Sequence, residues 1–278
     1  MLNDDIDSLV ELMRAGPTTI VAGAGMSTDA GLPDYRGSGS AGTPTVDFDL
    51  FMSAPKWRAW GWQRNHESWR SVAALDPTPA HRAVATLEKA GYVKMVATQN
   101  VDGLDARAGI ENVALLHGTF DEVQCLQCDS LFPREEVHRW MAQRNPGFTQ
   151  DPNPANAAIL ATADEEAADK CTFDPAPCPK CAGILKPAVV FFGESLPGEQ
   201  LERAFAAAAT SSLILVVGTS LVVGTGMWVV GQGLNAGADL AVINRGPTQA
   251  DQWAQWRSET GASEVLTAVA DQLLGEWR

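Results

Sequence analysis

Short runs of almost uninterrupted aliphatic residues alternate along this 278-residue chain with longer stretches in which apolar positions recur every third or fourth residue. The runs are Thr18–Ala22, Val93–Thr98, 112–116, Leu213–Val217 and Asp239–Ile243. Because they lack the in-and-out alternation of a half-exposed strand, they predict strands covered on both faces, as in a parallel sheet. The clearest helical stretch between them is 81–90, entered through Pro77, Thr78 and Pro79 and stopped by Gly91. Strand, helix and strand in alternation predict an α/β fold with a doubly wound parallel sheet.

The residues after each run are polar or glycine-rich: Gly23-Ala24-Gly25-Met26-Ser27, Gln99-Asn100-Val101-Asp102, His117-Gly118, Gly218-Thr219-Ser220 and Asn244-Arg245-Gly246. Open α/β sheets bind ligands beyond the carboxyl ends of their strands, so five such clusters outline one crevice. Residues 204–238 carry no charge, but Gly218, Gly224, Gly226, Gly231 and Gly233 with Thr219, Ser220 and Thr225 interrupt them. They read as strand, glycine turn and buried helix, and not as a membrane span. Two segments fall outside the sheet pattern. Residues 34–45 form a Gly, Ser, Thr and Pro-rich loop, and 51–70 hold Trp57, Trp60, Trp62 and Trp69 at roughly helical spacing. The tryptophans suggest either amphipathic helices over an apolar channel or an ordinary aromatic core.

Charge narrows the partners. Twenty bases against 34 acids, with no basic run, argue against nucleic acid and against an anionic membrane surface. The start of the chain, with four acids before Arg14, resembles neither a secretory signal nor a transit peptide, and a cytoplasmic location is expected. Residues 121–185 are the most acidic stretch, with eleven acids against five bases.

That stretch also holds Cys125-Leu126-Gln127-Cys128 and Cys178-Pro179-Lys180-Cys181, two C-x-x-C knuckles with 49 residues between them. Each spacing lets two thiolates converge on one ion, and Cys125, Cys128, Cys178 and Cys181 together predict a closed tetrahedral zinc shell. With no open coordination position, such a zinc is structural. Cys171 is left over as an ordinary thiol.

Gly23-Ala24-Gly25 after a strand permits close approach of a pyrophosphate to backbone at a helix N-terminus. A hydride-transfer fingerprint is disfavoured, because Thr28 stands where its third glycine should be and no acid ends a second strand about twenty residues on.

Gly23 to Arg36, Thr98-Gln99-Asn100-Val101-Asp102-Gly103, His117-Gly118, the two knuckles, Val189-Val190-Phe191-Phe192-Gly193-Glu194 and Gly218-Thr219-Ser220 resemble the sirtuins, in order and over nearly the whole chain. Phe51-Met52-Ser53-Ala54-Pro55, Trp69, the long gap between knuckles, Leu221 without a following proline, and Asn244-Arg245-Gly246-Pro247-Thr248 resemble the class II branch. The resemblance implies a Rossmann-like sheet with a smaller inserted zinc-binding and helical domain. Its parts are expected at 1–33, 81–120 and 186–278 for the NAD-binding domain, 34–80 for a cofactor loop and helical module, and 121–185 for the zinc module.

It further implies NAD as a consumed co-substrate and acylated lysine, in a protein or peptide, as the partner; nicotinamide leaves and the acyl group ends on ADP-ribose. His117 would be the general base for a ribose hydroxyl, Asn100 would orient the ribose and a water, and Asp102 would hold the nicotinamide carboxamide. Gly23, Ala24, Gly25, Ser27, Thr28, Asp34, Tyr35, Arg36, Gln99, Gly218, Thr219, Ser220, Asn244, Arg245, Gly246 and Ala262 complete the expected NAD contacts. Val190, Phe191, Phe192, Gly193 and Glu194 would meet the substrate, with Gly193 and Glu194 edging a strand to which an extended peptide pairs. Two positions depart from the family: Asp105 stands where a histidine is usual, and Tyr35 replaces the commoner Phe. The Tyr and Arg pair that marks sirtuins of acidic acyl groups is missing from the helical module, and the aromatic segment suggests apolar or lipoyl-like chains instead. Three other readings compete: a mono-ADP-ribosyltransferase, an NAD-binding interaction module with weak catalysis, and a zinc dehydrogenase.

Overall fold

The computed structural model describes residues 6–32, 44–148 and 161–275. Its helices are α1 (Ile6–Arg14), α2 (Phe48–Ser53), α3 (Pro55–Ala73), α4 (Pro79–Lys89), α5 (Leu104–Arg107), α6 (Arg134–Arg144), α7 (Glu165–Lys170), α8 (Gly198–Ala208), α9 (Gly224–Asn235) and α10 (Ala262–Leu274). Its strands are β1 (Thr18–Ala22), β2 (Val93–Thr98), β3 (Val113–Leu115), β4 (Gly118–Cys125), β5 (Leu131–Pro133), β6 (Leu185–Val189), β7 (Leu213–Val217), β8 (Asp239–Ile243) and β9 (Trp256–Ser258). They divide between two compact units, one made of Met1–Asp34, Asp76–His117 and Leu196–Arg278, the other of Tyr35–Leu75 and Gly118–Ser195.

The first unit is a doubly wound sheet of six parallel strands in the order β3-β2-β1-β7-β8-β9. Alternate residues face opposite layers. Ile20, Ala22, Leu213, Leu215, Val217, Ala241 and Ile243 pack with α1, α4 and α10, whereas Val21, Ile214, Val216, Leu240 and Val242 pack with α8 and α9. Burial on both faces explains why the strands read as unbroken apolar runs. The chain winds outward from β1 through β2 to β3, then returns to add β7, β8 and β9 on the other side, so the order reverses between β1 and β7.

Two expected boundaries shift. The helix expected over 81–90 begins at Pro79, because Thr78 caps it: its hydroxyl accepts the His81 N–H, and His81 Nδ1 accepts the Thr78 N–H, a capping box with histidine in the usual Glu place. The strand expected over 112–116 is pared to Val113–Leu115, although the Asn112 carbonyl and the Leu116 N–H still bond to β2.

The second unit packs α2, α3, α6 and α7 with an antiparallel sheet of order β5-β4-β6. Trp57, Trp62 and Trp69 of α3 are buried in it, and Trp62 Nε1 donates to the Leu185 carbonyl at 2.8 Å. Arg134, fully buried, stacks its guanidinium between Trp62, Trp69 and Phe120 and bonds to Asn65. Trp57, Trp62 and Trp69 therefore form a core, while half-buried Trp60 donates Nε1 to the Thr162 carbonyl. Among the described residues no helix is long and apolar enough to cross a membrane.

Candidate functional site

At the switch between β1 and β7 the backbone is drawn unusually close. Gly25 donates its N–H to the Gly218 carbonyl at 2.8 Å, and Gly23 donates to Val217. A Cβ on Gly25 would lie 2.5 Å from Gly218 Cα; one on Gly218 would lie 2.6 Å from Gly25, and Gly218 also takes φ +63°. Only glycine fits either position. Beyond Gly23 the chain turns through two short 3₁₀ segments, Ala24–Met26 and Thr28–Ala30, and not into the long helix expected after a dinucleotide fingerprint. Thr28 Oγ1 caps the first by donating to the Gly25 carbonyl.

The loop after β2 folds back onto this turn. Asn100 Nδ2 donates to the Gly23 carbonyl at 3.0 Å and to Ser27 Oγ at 3.2 Å. Ser27, itself buried, donates its hydroxyl to Asp102 Oδ2 at 2.7 Å, while Asp102 Oδ1 accepts the Leu104 N–H. Gln99 bridges to the third cluster, accepting from Thr219 Oγ1 at 2.9 Å and donating to the Val223 carbonyl. Ser220 accepts the Gln249 N–H through its carbonyl.

His117, half-buried at the end of the first unit, is oriented from both sides. Its Nδ1 lies 3.1 Å from the Gln99 carbonyl, which can only accept, so Nδ1 carries the proton. That leaves the Nε2 lone pair as an acceptor, taking the Thr225 hydroxyl at 3.3 Å. Burial holds the imidazole below its ordinary pKa, against the raising effect of the Gln99 bond, which favours the neutral, proton-accepting form. Thr225 was missed by sequence reasoning. Its only signal was a polar residue in the uncharged stretch 204–238.

At the end of β8, Asn244 is spent on its own loop, donating Nδ2 to the Arg245 and Gly246 carbonyls. Arg245 is exposed and reaches toward Gly261, next to Ala262 at the start of α10. The sequence therefore brings Gly23, Ala24, Gly25, Ser27, Gln99, Asn100, Asp102, His117, Gly218 and Thr219 into one hydrogen-bonded cluster. Asp34, Tyr35 and Arg36 lie outside the described residues.

In the second unit, Gly193 and Glu194, expected to edge a strand, lie in a turn instead. Strand β6 stops at Val189, and Phe191 to Glu194 form a turn, closed by the Glu194 N–H on the Phe191 carbonyl, with Gly193 at φ +89°. The turn forms because Glu194 bends back: its Oε2 accepts the Phe191 N–H at 2.6 Å and the Lys186 ammonium at 2.9 Å. Lys186, almost wholly buried, also donates to the Pro187 and Val189 carbonyls and sits over the Phe191 ring. The Phe192 carbonyl takes the Phe48 N–H, and Phe192 exposes its side chain.

The four knuckle cysteines meet. Cys125 and Cys181 sulfurs are 3.5 Å apart, those of Cys128 and Cys178 3.8 Å, and all four lie within 4.8 Å of one another. A zinc ion with four Zn–S bonds of about 2.3 Å needs sulfurs about 3.8 Å apart, so the residues fit it. Both knuckles are built alike: the Asp129 N–H returns to the Cys125 carbonyl and the Ala182 N–H to the Cys178 carbonyl, with Asp129 and Ala182 at φ +54° and +60°. Cys171 stands apart, its thiol donating to Gln63.

A doubly wound sheet with a glycine-tightened switch point, an oriented imidazole beside it and a four-cysteine module defines the class of protein. The chain belongs to the Sir2 family, whose pattern matches residues 23–225. It is 39% identical over 274 residues, 97% of this chain and 90% of the other, to a Streptomyces coelicolor protein named NAD-dependent protein deacetylase 1. A Bordetella pertussis NAD-dependent protein deacetylase is 40% identical over 252 residues, covering 90% of this chain and 91% of the other. Among solved structures, a Sir2 complex with p53 peptide and NAD+ superposes with a TM-score of 0.76 at 27% identity, covering 96% and 98% of the two chains. Sir2 bound to an acetylated peptide gives 0.76 at 26% identity, covering 98% and 100%.

Proposed function

We propose that this chain is an NAD-dependent protein-lysine deacylase that releases nicotinamide and transfers the acyl group to ADP-ribose. The observation that carries the reading is the tautomer of His117. With Nδ1–H held by the Gln99 carbonyl, Nε2 is available to take a proton from a ribose hydroxyl, the part of a general base. Asn100 and Asp102, tied together through Ser27, would hold the ribose and the nicotinamide carboxamide. Ala24, the two tight glycines Gly25 and Gly218, Thr28, Ser220, Asn244 and Arg245 would receive the phosphates and adenosine. Bacterial relatives named as deacetylases, and Sir2 structures holding NAD+ and peptides, support the assignment and disfavour ADP-ribosyl transfer as the main reaction.

The four cysteines would hold one zinc, which would brace the small sheet and stand outside the chemistry. The turn from Val190 to Glu194 would meet the substrate peptide through its exposed backbone around Gly193. Acidic acyl chains are disfavoured because three of the four bases on α3 are already engaged: Lys56 with Glu165 and Asp169, Arg58 with the Phe51 and Met52 carbonyls, and Arg64 with Glu67. The aromatic segment of α3 and the lack of a free cation pair on it favour an apolar or lipoyl-like chain over an acidic one. A panel of acetyl, longer apolar, lipoyl and succinyl lysine peptides, incubated with NAD, tests the reading. Acyl-ADP-ribose from the apolar members is expected; faster turnover of the succinyl peptide would reverse the specificity, and none from any member would refute the function.

A further inference from the structure

Behind the chain of hydrogen bonds from Asn100 through Ser27 to Asp102 lie a buried acid and a buried imidazole. Asp105, on α5, is 3% exposed, and its Oδ1 has no hydrogen-bond partner among the described residues. Nε2 of His81, on α4, faces it at 3.9 Å, is equally buried, and has no partner either. The second ring nitrogen is committed: Nδ1 accepts the Thr78 N–H at 3.2 Å and lies 2.7 Å from the Thr78 hydroxyl. A neutral His81 therefore carries its proton on Nε2, the nitrogen nearest the carboxylate.

Leaving a donor and an acceptor both unsatisfied in the interior is costly, and folded proteins seldom do so without a reason. The surroundings supply one. Asp102 approaches from the loop after β2, the Thr98 hydroxyl from β2 itself, Arg82 from α4 and Arg107 from α5; Arg107 also donates to the Asp102 carbonyl. Burial pushes the Asp105 carboxyl up to about 7, the Asp102 charge adds to the effect, and Thr98 opposes it. Burial likewise pushes His81 down to about 4, with Asp102 opposing and the two arginines adding. At mildly acidic pH the pair is neutral, with one proton on His81 Nε2 and one on the Asp105 carboxyl. Above neutrality the Asp105 proton passes to solvent and a net negative charge stays behind.

We propose that Asp105 and His81 act as one protonatable positioning pair for Asp102, and that loss of the Asp105 proton sets a second buried negative charge beside the Asp102 carboxylate and weakens NAD binding. The inference rests on the assignment of Asp102 and Asn100 to the NAD site. It goes beyond that assignment by giving the site a pH dependence whose source touches neither substrate.

Two measurements test it. In steady-state assays from pH 6 to 8.5, KM for NAD of the unaltered protein is expected to rise roughly fivefold or more above neutrality, while KM for the peptide stays level. Asp105→Asn, which keeps shape and removes the charge, is expected to flatten the NAD profile. A level profile in the unaltered protein, or a rise that Asp105→Asn retains, would overturn the proposal. The second measurement needs no catalysis: in protein carrying ¹³C-labelled aspartate carboxyls, one resonance is expected to titrate near neutrality and to shift in His81→Gln. All described aspartates titrating below pH 5 would overturn the pair, even in an active enzyme; a neutral titration in a protein that turns over no NAD would uphold the pair and refute the functional reading.

Discussion

The Gln99 carbonyl, 3.1 Å from His117 Nδ1, decides which nitrogen of that imidazole is a base. Because Gln99 is anchored in turn to Ala22 by its backbone and to Thr219 and Val223 by its side chain, the ring is oriented by the same residues that close the switch point. Orientation and ligand crevice are one construction.

His117→Ala removes the base and leaves Gln99 with its other partners. Nicotinamide release is expected to fall by about 10² to 10⁴ with the fold kept, as judged by circular dichroism. In the unaltered enzyme kcat/KM for NAD should rise with pH through an ionisation below 6.5, because burial lowers the histidine pKa and only the neutral ring can accept a proton. His117→Ala should lack that acid limb. An acid limb that persists in the variant would assign it elsewhere.

Zinc should be found at one equivalent per chain in protein purified without chelator. Cys178→Ser breaks the four-sulfur set, and since structural zinc contributes on the order of 10 kcal/mol to such modules, the β4, β5 and β6 sheet should melt well before the rest. Metal-free protein with an unchanged melting curve would contradict this.

The small unit should be sensitive to acid. His66 and His138 stack at 4.3 Å beside buried Arg134, and each leaves Nδ1 without a hydrogen-bond partner among the described residues. Burial first, then the charges of His138 and Arg134, hold His66 down to about 3; burial, then Arg134 and Arg70, hold His138 down to about 4. Unfolded histidines take protons near 6.5, so the stability these rings contribute is present above that pH and is lost as pH falls toward 4. Near-ultraviolet circular dichroism of the packed tryptophans should show a lower melting temperature at pH 5 than at pH 7, with the difference reduced in His138→Phe. Equal melting at both pH values would refute it.

Much of this was legible in the chain, for physical reasons that differ by residue. Strands buried on both faces have to be apolar throughout, so Leu213–Val217 and Asp239–Ile243 could be read directly. Gly25 and Gly218 are legible as glycines after strands, but their mutual contact is not, since 193 positions separate them. Thr225 stayed hidden for the same reason, since its hydroxyl gains a role only from His117, far along the chain; Gln99 was legible as a ligand-site residue but not as the group that orients His117. The tryptophans of α3 carry a periodicity that says helix and says nothing of what the helix faces; Arg134 and the Leu185 carbonyl settle that for Trp62 and Trp69. At Gly193 and Glu194 the extended pattern was overridden by a tertiary bond, Glu194 to buried Lys186. Asp105 stood out in the sequence as a departure, and its meaning became visible only with His81 opposite.

The most direct test of the account is stoichiometry in a single reaction of the protein with NAD and an acetyl-lysine peptide. Nicotinamide, free-lysine peptide and acetyl-ADP-ribose should form in equal amounts, and all three should fall together in His117→Ala. Nicotinamide released without loss of the acyl group, with ADP-ribose left covalently on protein, would contradict it.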